Sequence, residues 1–81
     1  MTEQQLREAF TTRGAELVAL YRHGPYKIVA LFLVDGNHYW EVSAQASRER
    51  TWTQTAIDVW LREELVRQLD GWRASQASRS V

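Results

Sequence analysis

The chain has no cysteine, which excludes disulfide staples, thiolate metal sites and thiol nucleophiles together. Small secreted domains usually depend on such staples, so this absence favours a cytoplasmic setting. Proline occurs once, at Pro25, and glycine four times, so each instance marks a specific break in the backbone. Lysine also occurs once, at Lys27, and the other nine basic residues are arginine. There is no excess charge of either sign: ten acidic residues balance ten basic ones. Nucleic-acid-binding domains of this size usually carry a basic excess, because phosphate neutralisation supplies much of their affinity. No apolar run reaches the roughly 18–20 residues needed to span a bilayer. The opening Met1-Thr2-Glu3-Gln4-Gln5 is polar and acidic, unlike a signal peptide, so no membrane partner is expected.

What is present is a globular composition. Apolar residues make up 44% of 81 residues and include four tryptophans, enough for one domain with a core of marginal size. Thr2-x-x-Gln5 has the spacing of a capping box, with Leu6, Ala9 and Phe10 following at helical intervals. This predicts a helix from about Glu3 to Thr12, ended near Gly14. Ala15 to Arg22 reads as a strand, broken by His23-Gly24-Pro25. Tyr26 to Val34 is rich in β-branched and aromatic residues and reads as the strongest strand. Asp35-Gly36 is a hairpin signal, and His38 to Ala46 alternates as a third strand. Thr51-x-x-Gln54 repeats the capping-box spacing, and a long helix follows to about Asp70, with Gly71 as its stop. Ile57, Trp60, Leu61, Leu65, Leu69 and Trp72 form its apolar stripe, with Val59, Val66 and Trp52 outside it. The expected fold is α+β, in the order α-β-β-β-α. A three-stranded antiparallel meander would be packed by a long C-terminal helix and a short N-terminal one. Residues 1–72 form the single domain, and 73–81 read as a flexible tail.

The central strand is apolar on both faces, whereas a surface sheet normally has one wet face. A two-residue turn would pair Val34 with Asn37, placing Val29, Leu31, Leu33, Trp40, Val42 and Ala44 together. That face is the expected seat of the long helix, with Trp60, Leu61 and Leu65 against Leu31, Leu33, Trp40 and Val42. The other face would hold Ile28, Ala30, Phe32 and Val34 beside Tyr39, Glu41 and Ser43. A four-residue loop from Arg22 to Pro25 would add Leu17, Ala19, Tyr21 and Tyr26 to it. The N-terminal helix, a second copy, or a foreign partner or ligand must cover it, because monomers rarely expose so large an apolar patch. The candidate interface is therefore Tyr21, Tyr26, Ile28, Phe32 and Tyr39 if sheets pair, and Val59 and Val66 if helices do.

Catalytic chemistry is hard to assemble from this sequence. His23 and His38 each lie at a strand end or turn, away from any run of further metal ligands. Glu63 and Glu64 are adjacent on a helix and point about 100° apart, so they do not converge. Ser43, Ser47 and Thr51 have no histidine at a spacing that suggests a triad. The glycines read as turns or caps, without a phosphate-binding loop. The chain is thus expected not to be an enzyme and to need no metal or cofactor.

The element order, the Gly24-Pro25 after the first strand and the Arg48/Arg50 pair before the last helix resemble a double-stranded-RNA-binding domain. In that family a Gly-Pro between the first two strands and a lysine cluster opening the last helix contact the RNA. Here Ser47-Arg48-Glu49-Arg50-Thr51-Trp52 lacks the lysine run, and the spacing between the landmarks is shorter. The three strands and following helix also resemble small antitoxin folds, without a diagnostic motif. The leading expectation is a small non-enzymatic protein-binding or regulatory module, a homodimer formed through apolar sheet or helix surface. Its size suits the small regulators of phages, plasmids and other mobile elements. The alternative is a nucleic-acid-binding module using Arg22, His23, Arg48 and Arg50, with the aromatics Tyr21, Tyr26, Phe32 and Tyr39 as a stacking surface.

Overall fold

A computed structural model of the chain describes residues 1–48 and 51–79. The elements are α1 (Glu3–Thr11), β1 (Ala15–Arg22), β2 (Lys27–Val34), β3 (His38–Gln45) and α2 (Gln54–Arg79). The three strands form one antiparallel sheet in the order β1-β2-β3, so the fold is the expected α+β meander with two helices. No helix among the described residues is long and apolar enough to cross a membrane.

Helix α1 starts with the capping box that its sequence implies. The Thr2 hydroxyl accepts from the Gln5 amide at 3.1 Å, and the Gln5 side chain accepts from the Thr2 amide at 2.8 Å. Leu6 and Phe10, one turn apart, are its two fully buried residues. Gly14 then takes a φ of +75°, a left-handed value that turns the chain into β1.

The β2–β3 turn decides the register. Asp35 and Gly36 both have positive φ, 57° and 74°, and the Asn37 amide donates to the Val34 carbonyl at 3.4 Å. That is the tight turn expected of Asp-Gly. Val34 nevertheless pairs with His38, so the connection is one residue longer than the sequence implied. Phe32 therefore sits opposite Trp40, Ala30 opposite Val42 and Ile28 opposite Ala44. A slip of one residue exchanges the faces of a whole strand, and here it moves Trp40, Val42 and Ala44 to the Phe32 side. On the other side Arg22 pairs with Ile28, an odd shift from the expected loop, which places Leu20 with Ala30 and Tyr21 with Val29. A bulge between Leu17 and Ala19 inserts Val18 and restores the expected parity for Ala15 and Leu17.

Both helices pack on the face built from Ile28, Ala30 and Phe32, and not on the Leu31 and Leu33 side. The core joins these three to Ala15, Leu17, Val42 and Ala44 from the sheet. Leu6 and Phe10 of α1 and Ile57, Leu61, Leu65 and Leu69 of α2 close it from above. Phe32 lies at its centre, edge-on to Phe10 at 5.7 Å and to Trp72 at 5.1 Å between ring centroids. Ala15, Ala30 and Ala44 are the smallest side chains of this face, and all three are buried beneath the helices. The expected contact of Leu61 and Leu65 with Leu31 and Leu33 is therefore replaced by contact with the opposite face.

Helix α2 differs from its expected limits at both ends. Its first turn is capped by Thr53, whose hydroxyl accepts from the Ala56 amide at 3.2 Å, and not by Thr51. At the other end it passes through Gly71 and continues to Arg79, across the segment expected to be a flexible tail. A helical glycine costs about 1 kcal/mol relative to alanine. Trp72 lies on the stripe three residues beyond Leu69 and packs against Phe32 and Trp40, a contact worth more than that cost. Arg13 adds a 2.7 Å ion pair to Asp70 beside it. Gly71 is exposed, and a Cβ built there meets nothing within 4 Å. Gly71→Ala is therefore expected to raise stability by about 0.5–1 kcal/mol. A lower urea midpoint for that variant would contradict this account of the helix.

Candidate interaction surface

With both helices on one side, the opposite face of the sheet carries no covering element among the described residues. Strand β2 contributes Lys27, Val29, Leu31 and Leu33 to it, alternating with the buried set. Pairing brings Glu16, Ala19 and Tyr21 of β1 alongside Leu33, Leu31 and Val29. It brings Tyr39, Glu41, Ser43 and Gln45 of β3 alongside Leu33, Leu31, Val29 and Lys27. Val29, Leu31 and Leu33 are only half-buried, shielded by lateral neighbours alone. Tyr39 is 63% exposed, Tyr21 49% and Val18 43%. Three aliphatic side chains flanked by two tyrosines form an apolar centre. Glu16, Lys27 and Glu41 ring it, and none of these three has an ion pair among the described residues.

The structure divides the candidate interface residues among three places. Tyr21 and Tyr39 lie on the open face, as a sheet interface requires. Ile28 and Phe32 do not: they are 4% and 0% exposed and belong to the core. Tyr26 and Val66 are half-buried and packed against that core, and Val59 is exposed on α2 at a distance from the sheet face. Val29, Leu31 and Leu33, expected from the two-residue turn to meet the long helix, lie on the open face instead. The polar run Glu41, Ser43 and Gln45, against apolar Val42 and Ala44, was the signal for the wet side of β3.

Of the basic residues considered for nucleic-acid contact, Arg22 is already engaged within the fold. The Arg22 guanidinium donates to Asp58 Oδ1 at 2.9 Å and to the Gly24 carbonyl at 3.3 Å. Gln54 donates to the same Asp58 oxygen at 2.9 Å and to the Pro25 carbonyl at 2.8 Å. These bonds latch the β1–β2 loop onto the first turn of α2, so Arg22 acts as a strut. His23 and Arg48 are exposed, and Arg50 lies outside the described residues. Among the described residues no group of three or more histidine or carboxylate side chains could hold a metal ion. Shallow clefts flank the Asp35-Gly36 turn, one of them between Trp40, Trp72, His38 and Gln76.

Partial burial acts to raise the pKa of Asp58, but hydrogen bonds from Gln54 and Arg22 and the charges of Arg22 and Arg62 outweigh it. The net result lies below the usual carboxylate value. A depressed folded-state pKa gives stability that is present above the unfolded value, about 3.9, and lost as pH falls through the folded one. The latch should therefore weaken below about pH 4, by no more than about 1 kcal/mol for so exposed a pair. Asp58→Asn should flatten this part of the stability–pH curve. An unchanged curve would show that Asp58 is not coupled to folding. Glu64 is held low in the same direction, by hydrogen bonds from Gln68 and Arg67. That network explains two polar residues close to the apolar stripe of α2.

Comparison of the chain with family models, with curated proteins and with solved structures finds no match.

Proposed function

We propose that this chain is a non-enzymatic protein-binding module that works through the open face of its sheet and self-associates there. One observation carries the reading: Val29, Leu31 and Leu33 form an aliphatic row with Tyr21 and Tyr39 beside it, on the side of the sheet that neither helix covers. An antiparallel sheet with one solvated face normally places polar residues there. Closed two-fold dimers are the commonest means of hiding such surface. The engagement of Arg22 in the Asp58 latch and the zero net charge count against phosphate binding.

Solution mass tests the reading. At about 100 μM, the wild type should sediment as a dimer. Leu31→Asp should sediment as a monomer with an unchanged circular-dichroism spectrum. A wild type that stays monomeric at that concentration, or a Leu31→Asp variant that stays dimeric, would remove the proposal. Dissociation by Val59→Asp instead would move the interface to α2.

A further inference from the structure

We infer that two copies pair open face to open face about a two-fold axis running across the strands, so that Lys27 of each protomer meets Glu16 of its partner. This rests on the self-association proposed above and adds its geometry. The observed register defines a small grid. Lys27 and Gln45 share its first row, Tyr21, Val29 and Ser43 the second, Ala19, Leu31 and Glu41 the third, and Glu16, Leu33 and Tyr39 the fourth. Sheets packed face to face keep their strands within about 30° of alignment, about 10 Å apart. A two-fold axis in the interface must therefore run nearly along the strands or nearly across them.

An axis along β2 lays β1 over the partner's β3 and returns every β2 residue onto itself. Lys27 then faces the partner's Lys27, Ala19 faces Glu41, and Glu16 faces Tyr39. Two like charges meet at the end of an apolar row, and no opposite charge lies nearby to offset them.

An axis across the strands, midway between Val29 and Leu31, gives a different match. Val29 stacks on the partner's Leu31. Tyr21, a large side chain, lies on Ala19, a small one. Glu41 falls on Ser43, Tyr39 on Gln45, and the aliphatic stem of Lys27 on Leu33. The Lys27 ammonium then lies one strand spacing, about 4.8 Å laterally, from the partner's Glu16, within the reach of two long side chains. Each charge pair occurs twice by symmetry. Neither Lys27 nor Glu16 has a competing ion pair among the described residues of its own chain. The two Glu41 carboxylates also come within about 7 Å laterally across this axis. That is one like-charge pair against two Lys27–Glu16 attractions, so charge placement still selects the crosswise axis over the lengthwise one. Three strands of eight residues present a face of about 26 by 14 Å, which is small for a specific interface. The dimer is thus reversible, and two charge pairs are a substantial part of its specificity.

The full chain is measured by sedimentation over a concentration series, with circular dichroism as the check on folding. Lys27→Glu and Glu16→Lys should each weaken dimerisation by roughly tenfold, because two attractions become two repulsions. The double variant Lys27→Glu/Glu16→Lys should return to within about threefold of the wild type, as restored exposed pairs do. Lys27→Ala separates the two axes, since it weakens a crosswise dimer and tightens a lengthwise one. If Leu31→Asp dissociates the dimer but both single reversals leave it unchanged, the crosswise axis is wrong while the open-face reading stands. Failure of the double variant to recover also overturns the axis. A wild type that never dimerises removes both.

Discussion

Phe32→Ala should unfold most of the molecules at room temperature. The side chain is fully buried, edge-on to Phe10 and Trp72, and sits where β2 meets both helices. Truncating such a phenylalanine costs about 3–5 kcal/mol, and the single core of a domain this small rarely supplies more than about that much stability. The neighbouring Leu31→Ala provides the contrast. Leu31 lies on the open face with no helix above it, so its truncation should cost well under half as much. Urea denaturation of the two variants reads the difference directly. Equal losses would mean that the helices do not distinguish the two faces of β2, and the fold described above would be wrong.

Trp72 is the second position of large effect. It closes the core at the end of the sheet, with ring centroids 5.1 Å from Phe32 and 5.3 Å from Trp40. Its indole Nε1 is buried and has no hydrogen-bond partner. Trp72→Ala should therefore cost about 3 kcal/mol, the low end for a large aromatic because the residue is only partly buried. Trp72→Phe keeps the ring contact and removes the unpaired N–H, so its loss should stay below about 1.5 kcal/mol. A tryptophan valued for a hydrogen bond would show the opposite order, with phenylalanine nearly as damaging as alanine. The same pair tests whether α2 must extend past Gly71, because Trp72 is what holds its last turns against the sheet.

The local elements were legible because their signals are local. Thr2 and Gln5 cap α1, the Asp35-Gly36 pair takes two positive φ values, and Ala15 to Arg22 is a strand with the limits its composition implied. The end of α2 was not legible. Gly71 is a stop signal by propensity, yet Trp72 overrides it through a contact with a residue 40 positions earlier in the chain. The Thr51 capping signature failed for a related reason. Thr53 offers the same hydroxyl two residues later, and Gln54 instead bonds the Pro25 carbonyl and Asp58. Of the candidate interface, Tyr21 and Tyr39 were placed on the open face and Ile28 and Phe32 were not. A single extra residue between Val34 and His38 exchanged the side-chain parity of β3.

By itself the sequence determined the element order, the α+β class and the fact that β2 is apolar on both sides. These follow from periodicities of two and 3.6 residues and from caps and turns, each contained within a few neighbouring positions. Only the tertiary structure decided which apolar side of β2 became the core and which remained open. Ile28, Ala30 and Phe32 are no more apolar than Val29, Leu31 and Leu33, so hydrophobicity cannot choose between them. The choice depends on strand parity, which one loop residue reverses, and on which face lets two helices pack closely. Both are sums over contacts distant in the chain, and they leave Leu31 facing outward and Phe32 at the centre.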